Sequence, residues 1–379
     1  MIQQDRVIQE FMELVQVNSE TKHEQEISKV LKEKFASLGF SVEEDDSAAK
    51  TGHGSGNLIF TLPANTGNPQ APRLFFTCHM DTVAPGNNIK PQLHADGYIR
   101  SDGTTILGAD DKAGISALLE AIRVLKEQKL EHPQLQVVIT AGEESGLVGA
   151  RAMEAKWIQA DYGFALDSNG KIGDIAVAAP SMDKIAITFY GKSAHAGVNP
   201  EDGVSAIQVA SKAVSRMPLG RIDHETTANV GSFAGGGETN VVCDKVVLKT
   251  EARSLDTRKL ERQVEAMRRA SFEAAEEMGA RAEFESYLKY PSFRWDETAP
   301  VVQLAMKALR RAGAEPRTFH SGGGSDANIF NGMGIPTVNL AVGYENIHTT
   351  KEQIKAADLG RVAETVVAII QEAVGSGQA

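Results

Sequence analysis

Residues 107–146 read LGADDKAGISALLEAIRVLKEQKLEHPQLQVVITAGEESG, and this stretch decides the fold class. Between Asp111 and Gln128, the residues Ile115, Leu118, Leu119, Ile122 and Leu125 recur at helical spacing and make one apolar face. Leu135–Thr140 is then almost continuously apolar and rich in β-branched residues, as expected of a strand buried on both faces. A one-faced helix leading into a doubly buried strand is the signature of a βαβ unit. Repeated, it gives a mostly parallel sheet with helices on both faces.

The flanking sequence repeats the pattern. Asn57–Leu62, Arg73–Cys78 and Gly163–Leu166 read as short strands, with helices at about 5–16 and 23–38 and another from near Leu147. Leu38-Gly39 is a common helix stop. After Asp167 the pattern changes. Asp183–Gly191 alternates like a half-exposed strand, and Glu201–Met217 is helical. Thr226–Phe233 and Val241–Ser254 read as strands around Gly235-Gly236-Gly237, followed by a long helix, Thr257–Met278, and a strand, Arg281–Tyr290. That β-α-β-β-α-β order fits a ferredoxin-like α+β sandwich. From Trp295 the first pattern resumes, with a helix near 298–312, the strand Pro336–Val342 and a last helix. The expected organisation is an α/β domain formed by 1–178 and 295–379, with 179–294 inserted into it.

Bulk properties narrow the function. A chain of 379 residues exceeds one ordinary core, and 42% hydrophobic with 23% charged residues is a globular composition. The net charge of -11 opposes binding to nucleic acid or an anionic membrane surface. Two cysteines, Cys78 and Cys243, are too few for a disulfide scaffold. The first residues lack the basic start and apolar core of a signal peptide, and no run is long enough to span a bilayer. A cytoplasmic protein is expected.

Five segments carry the chemistry: His79-Met80-Asp81, Gly108–Lys112, Glu143-Glu144, Asp167 and His348. Most fall at the C-terminal end of a predicted strand or at a helix start, the edge where open α/β sheets build their sites. Each also has a plainer reading. His79 and Asp81 share a strand face, so Asp81 can orient a metal-binding imidazole, or the two can form a surface pair. One of Asp110 and Asp111 is expected to cap the following helix, whereas a carboxylate bridging two metals is the sharper reading. Glu143 and Glu144 would repel each other unless cations lie nearby, though a solvated turn would also hold them. Together His79, Asp110, Glu144, Asp167 and His348 supply mixed N/O ligands suited to zinc.

The segments Thr77–Asp81, Leu107–Gly114 and Gly142–Gly146 resemble those of the co-catalytic zinc exopeptidases and deacylases, over nearly the whole chain. They are most similar to the peptidase T, or aminotripeptidase, branch. Asp167, where the deacylases often have glutamate, and Asp111-Lys112-Ala113-Gly114 favour that branch; a somewhat shorter chain departs from it. The resemblance implies two divalent ions, zinc before cobalt or manganese. His79, Asp110 and Asp167 would hold one ion and Asp110, Glu144 and His348 the other, with Asp81 orienting His79. Glu143 would be the general base for a water shared by the metals, and then the acid. It further implies a homodimer formed through the inserted lid, with His195 of Gly191–Gly197 reaching the partner's active site. Asn240 and Arg253 would engage the substrate, and Gly323 of Gly322–Asp326 would line the pocket. Plainer readings stand beside these: His195 in a polar turn, Arg253 paired with Glu251, the glycines as a flexible connection.

The expected reaction is hydrolysis of a peptide bond in a small peptide, releasing the N-terminal residue of a tripeptide. A carboxypeptidase or N-acyl-amino-acid deacylase of the same family is the alternative. A metal-bound peptide-binding protein without turnover is a third, against which Glu143 beside Glu144 counts.

Overall fold

A computed structural model describes residues 1–376. Leu135–Thr140 is a strand buried at every position, and Leu74–His79 pairs with it in parallel register, Phe76 opposite Val137. The chain divides into two compact units.

The first unit comprises Met1–Ala178, Trp295–Ser321 and Ser325–Ala379. Its sheet runs in the order Ser41–Glu44, Leu58–Leu62, Leu135–Thr140, Leu74–His79, Tyr162–Ser168, Thr337–Ala341 and Asp174–Ala179, with Arg317–His320 parallel to the last. The pairings from Leu135–Thr140 through Thr337–Ala341 are parallel, and those at the Leu58–Leu62 edge are antiparallel. Helices Gln4–Gln16, Ala109–Glu127, Pro300–Arg311 and Ala356–Gly375 pack together over one continuous core. The strongly apolar helix Ala356–Gly375 lies against Ala109–Glu127, whose Ile115, Leu118, Leu119, Ile122 and Leu125 are all buried. A small sheet of Gln92–Leu93, Tyr98–Arg100, Tyr344–Glu345 and Gln353–Lys355 ties the late loops to the middle of the chain.

The second unit comprises Ala179–Arg294 and Gly322–Gly324. It is an antiparallel sheet in the order Gly220–Arg221, Thr226–Gly235, Lys245–Ser254, Ser181–Tyr190 and Arg281–Tyr290, the ferredoxin-like arrangement with one short extra edge strand. Helices Ala206–Arg216 and Thr257–Glu277 cover one face through Ile185, Ile187, Phe189, Val246 and Leu248. The first helix is shorter than its periodicity predicts. Pro200–Asp202 forms a separate 3-10 turn, and Ser205 caps the helix proper. The strand expected from Val241 begins at Lys245, because Asn240–Val242 pair locally with the Ala194–Ala196 turn. Among the described residues, no helix is long and apolar enough to cross a membrane.

Candidate metal centre

The strand Leu74–His79 delivers His79 to the C-terminal edge of the first unit's sheet, where the side chain is 2% exposed. Nδ1 of His79 lies 2.9 Å from the backbone oxygen of Asp81. A carbonyl only accepts, so Nδ1 donates that bond and Nε2 faces the carboxylates; burial opposes a charged ring, but Asp110 and Asp81 hold the imidazole well above its usual range. Nε2 is 3.0 Å from Asp110 Oδ1 and 3.8 Å from Asp167 Oδ1. A lone pair aimed at carboxylate oxygens is repulsive unless a cation or a proton lies between them.

Asp110 belongs to a kinked start of the helix Ala109–Glu127, at φ −81° and ψ 100°. Its second oxygen, Oδ2, is 3.3 Å from Nε2 of His348. That imidazole is also 3.0 Å from Glu144 Oε1. Asp110 therefore turns one oxygen to each histidine, and Glu144 joins the second. Burial alone would raise the Asp110 carboxyl, but the two histidines hold it well below the usual carboxylate range. Asp110, then Glu144, pushes His348 up to about 10. The sites call for positive charge.

Burial pushes the Glu143 and Asp167 carboxyls well above their ordinary range, and neighbouring carboxylates add to the effect. Asp326 contributes to both. Burial raises it to about 6, and it accepts a hydrogen bond from Thr140 Oγ1 while its Oδ1 has no partner. This crowding is what divalent cations relieve. Among the described residues, two groups offer donor atoms within 4.8 Å of one another: His79, Asp111 and Asp167, and His79, Asp110 and Glu144. The donor chemistry thus fits divalent metal.

Two local readings take a different form in the structure. Asp110 and Asp111 lie in a non-helical kink at the helix start, and neither makes a side-chain capping bond. Gly108 precedes the short turn before the kink, without a side-chain cap, and Asp111 Oδ2 accepts the His79 backbone N–H at 3.3 Å. Asp81 orients the His79 ring mainly through its backbone oxygen, 2.9 Å from Nδ1, with its carboxylate farther off at 3.6 Å. The strand ends at His79, so Asp81 has left its face. The Asp81 carboxylate also accepts the N–H groups of Glu143 at 3.0 Å and Glu144 at 3.2 Å, fixing the acidic turn.

Sequence reasoning missed two supporting residues and gave no role to two others within segments it had singled out. The Tyr344 hydroxyl donates to Asp167 Oδ1 at 3.1 Å. Glu352, which burial raises to about 7, accepts backbone N–H groups beside Asp110. Lys112 is wholly buried and is lowered to about 7 by that burial; its Nζ donates to the Val17 carbonyl. Asp326 is the fourth. Tyr344 and Glu352 belong to no recognisable acidic or histidine pair, so no spacing marked them; Lys112 and Asp326 lie within Gly108–Lys112 and Gly322–Asp326. Gly114 has a clearer reason. A Cβ there would fall 2.7 Å from Asp111 Oδ1 and from the Leu166 carbonyl, so only glycine lets this helix approach the strand carrying Asp167.

His195, Asn240, Arg253 and Gly323 lie in the second unit. His195 is exposed, its Nδ1 accepts from Gly197 N–H at 3.1 Å, and the adjacent Ala196 N–H donates to the Asn240 carbonyl. Arg253 pairs with Glu251 at 2.7 Å, as its strand position allows, and its Nη1 also reaches the Gly322 carbonyl at 3.4 Å.

Residues 75–372 match the profile of peptidase family M20/M25/M40. The chain belongs to this family. Among its relatives, the uncharacterized protein YqjE of Bacillus subtilis is 56% identical over 373 residues, 98% of this chain and 100% of that one. The solved structure of aminopeptidase PepT from Bacillus cereus is 57% identical, with 98% of this chain and 99% of that chain covered and a TM-score of 0.93. A tripeptidase structure from Staphylococcus aureus is 46% identical, covering 99% and 100%, with a TM-score of 0.96. Membership in the M20/M25/M40 family makes the chain a metallopeptidase, and the donor groups at the sheet edge are its candidate metal ligands.

Proposed function

We propose that this metallopeptidase releases the N-terminal residue from tripeptides and similarly small peptides, using two divalent ions, zinc foremost. In this reading His79, Asp110 and Asp167 hold one ion, and Asp110, Glu144 and His348 hold the other. The observation that carries it is Asp110, whose two oxygens lie 3.0 and 3.3 Å from the Nε2 atoms of His79 and His348. When bound, the ions supply Lewis acidity, which eases deprotonation of water and polarises a carbonyl.

The chain's own groups do the rest. Glu143 is not among the ligands of this reading, and its backbone is pinned to Asp81. Its carboxylate accepts a proton from the attacking water as the new C–O bond forms, then returns it to the leaving amine as the C–N bond breaks. Asp81 keeps Glu143 and Glu144 in register, so proton transfer and metal binding stay on adjacent residues. Asn240, Arg253 and Gly323 bind the polar groups of the peptide. The tripeptidase and PepT relatives, similar along nearly their whole length, support this choice of substrate.

The second unit acts as lid and dimer contact in this proposal, and His195 serves the partner's site. Support comes from Arg281–Tyr290, an edge strand on which Tyr287 is 57% and Leu288 54% exposed. The free thiols of Cys78 and Cys243 favour a cytoplasmic setting.

Metal removal tests the central point. Chelated protein should lose peptidase activity and regain it with zinc at about two ions per chain, measured by elemental analysis. Full activity in metal-free protein would refute the proposal.

A further inference from the structure

The backbone before Asp110 converges on one side chain that the proposed reaction does not use. Glu352 is 1% exposed. Its Oε2 accepts the N–H groups of Leu107 and Gly108, each at 2.8 Å, and its Oε1 accepts that of Asp110 at 3.0 Å. Gly108 sits at φ 76°, and that left-handed turn points successive N–H groups the same way, making a concave anion cradle.

The carboxylate that fills the cradle comes from the segment carrying His348. Glu352 N–H donates back to the Thr349 carbonyl at 3.1 Å. The next residues, Gln353–Lys355, pair with Tyr98–Arg100. One side chain therefore joins two segments, 107–110 and 348–352, which present Asp110 and His348 to each other at 3.3 Å. Three hydrogen bonds to a single rigid carboxylate fix the backbone of Asp110 in position and rotation. An aspartate that must face two histidines at once needs that restraint, since a small backbone rotation would carry one oxygen away from its partner.

We propose that Glu352 is a positioning residue for metal binding, which sets Asp110 against His348 by clamping the 107–110 backbone to the 348–352 loop. The inference rests on the ligand assignments proposed above.

The test is metal affinity, which does not depend on turnover. Metal-free wild-type protein and the variants Glu352→Gln and Glu120→Gln are titrated with zinc against a chromophoric chelator, and with cobalt to record the visible spectrum. Glutamine keeps the shape of Glu352 but presents an NH₂ donor to backbone donors, so at least one of the three bonds is lost. Glu352→Gln should weaken metal binding by roughly 10–100-fold, the usual effect of removing a partner that orients a ligand, and should alter the cobalt spectrum. Glu120 is a control. It is also buried and accepts a backbone N–H, from Gln3 at 2.8 Å, but lies far along the helix from the ligands. Its variant should keep wild-type affinity. Should Glu352→Gln fail to fold, Glu352→Asp, which retains the charge but not the reach, decides by the same titration. Wild-type affinity in the Glu352 variant that folds, or equal weakening by Glu120→Gln, overturns the inference. Wild-type protein that binds no metal would overturn the ligand reading itself, and the inference with it.

Discussion

Glutamine at position 143 would keep the shape of the glutamate and remove its capacity to take a proton. A positioned general base contributes roughly 10²–10⁴-fold. kcat/KM of Glu143→Gln should fall by that factor, equivalent to about 3–5 kcal/mol in the barrier. Two further effects follow from where the residue sits. Its anchor to Asp81 is a backbone bond of 3.0 Å and survives the substitution, and its side chain is not among the proposed ligands. Metal content should therefore be unchanged. Burial, reinforced by the charges of Asp167, Asp326 and Glu144, already disfavours the ionised form. A neutral amide relieves that crowd, so the metal-free variant should melt no lower than wild type. The assay pairs steady-state hydrolysis of a tripeptide with elemental analysis and thermal melting of the same preparation. Near-normal turnover would refute the role of Glu143, as would loss of metal along with activity. Glu144→Gln should show the reverse pattern, with weakened metal binding.

Tyr344→Phe removes the hydroxyl that donates to Asp167 Oδ1 at 3.1 Å. Metal affinity by chelator competition should drop by about tenfold, the low end for such partners, and unchanged affinity would show that Asp167 needs no such support. Mixing the inactive variants His195→Ala and Glu143→Gln should restore activity once subunits exchange, because one site of the mixed dimer has both wild-type residues. No recovery despite confirmed exchange would mean that His195 does not act across subunits.

The sequence reveals the architecture where periodicity is strong. Leu135–Thr140 and the helix bearing Ile115, Leu118 and Ile122 are found where their patterns predict. The switch to alternating polarity at Asp183 marks the antiparallel sheet of the second unit. Short pieces escape, because two or three residues carry no period. Tyr344–Glu345 and Gln353–Lys355 are held by pairing with distant segments and not by their own preference. The metal centre follows the same division. His79, Asp110, Glu144, Asp167 and His348 stand out because ionisable groups after apolar strands are conspicuous. Their supports do not, since Glu352 and Tyr344 act through contacts made across 242 and 177 residues of chain. Asp81 shows how a contact can differ from its sequence reading: the strand stops at His79, so Asp81 meets the ring through its backbone oxygen at 2.9 Å, with its carboxylate 3.6 Å from Nδ1.

The most direct test of the proposed activity is product identification on a matched peptide set. Purified protein loaded with zinc is given a tripeptide with a free amino terminus, its N-acetylated form and an N-acetyl amino acid, and the products are resolved by mass spectrometry. An aminopeptidase releases the N-terminal residue from the first and leaves the other two intact. Cleavage only of acylated substrates, or release of the C-terminal residue, would contradict the account.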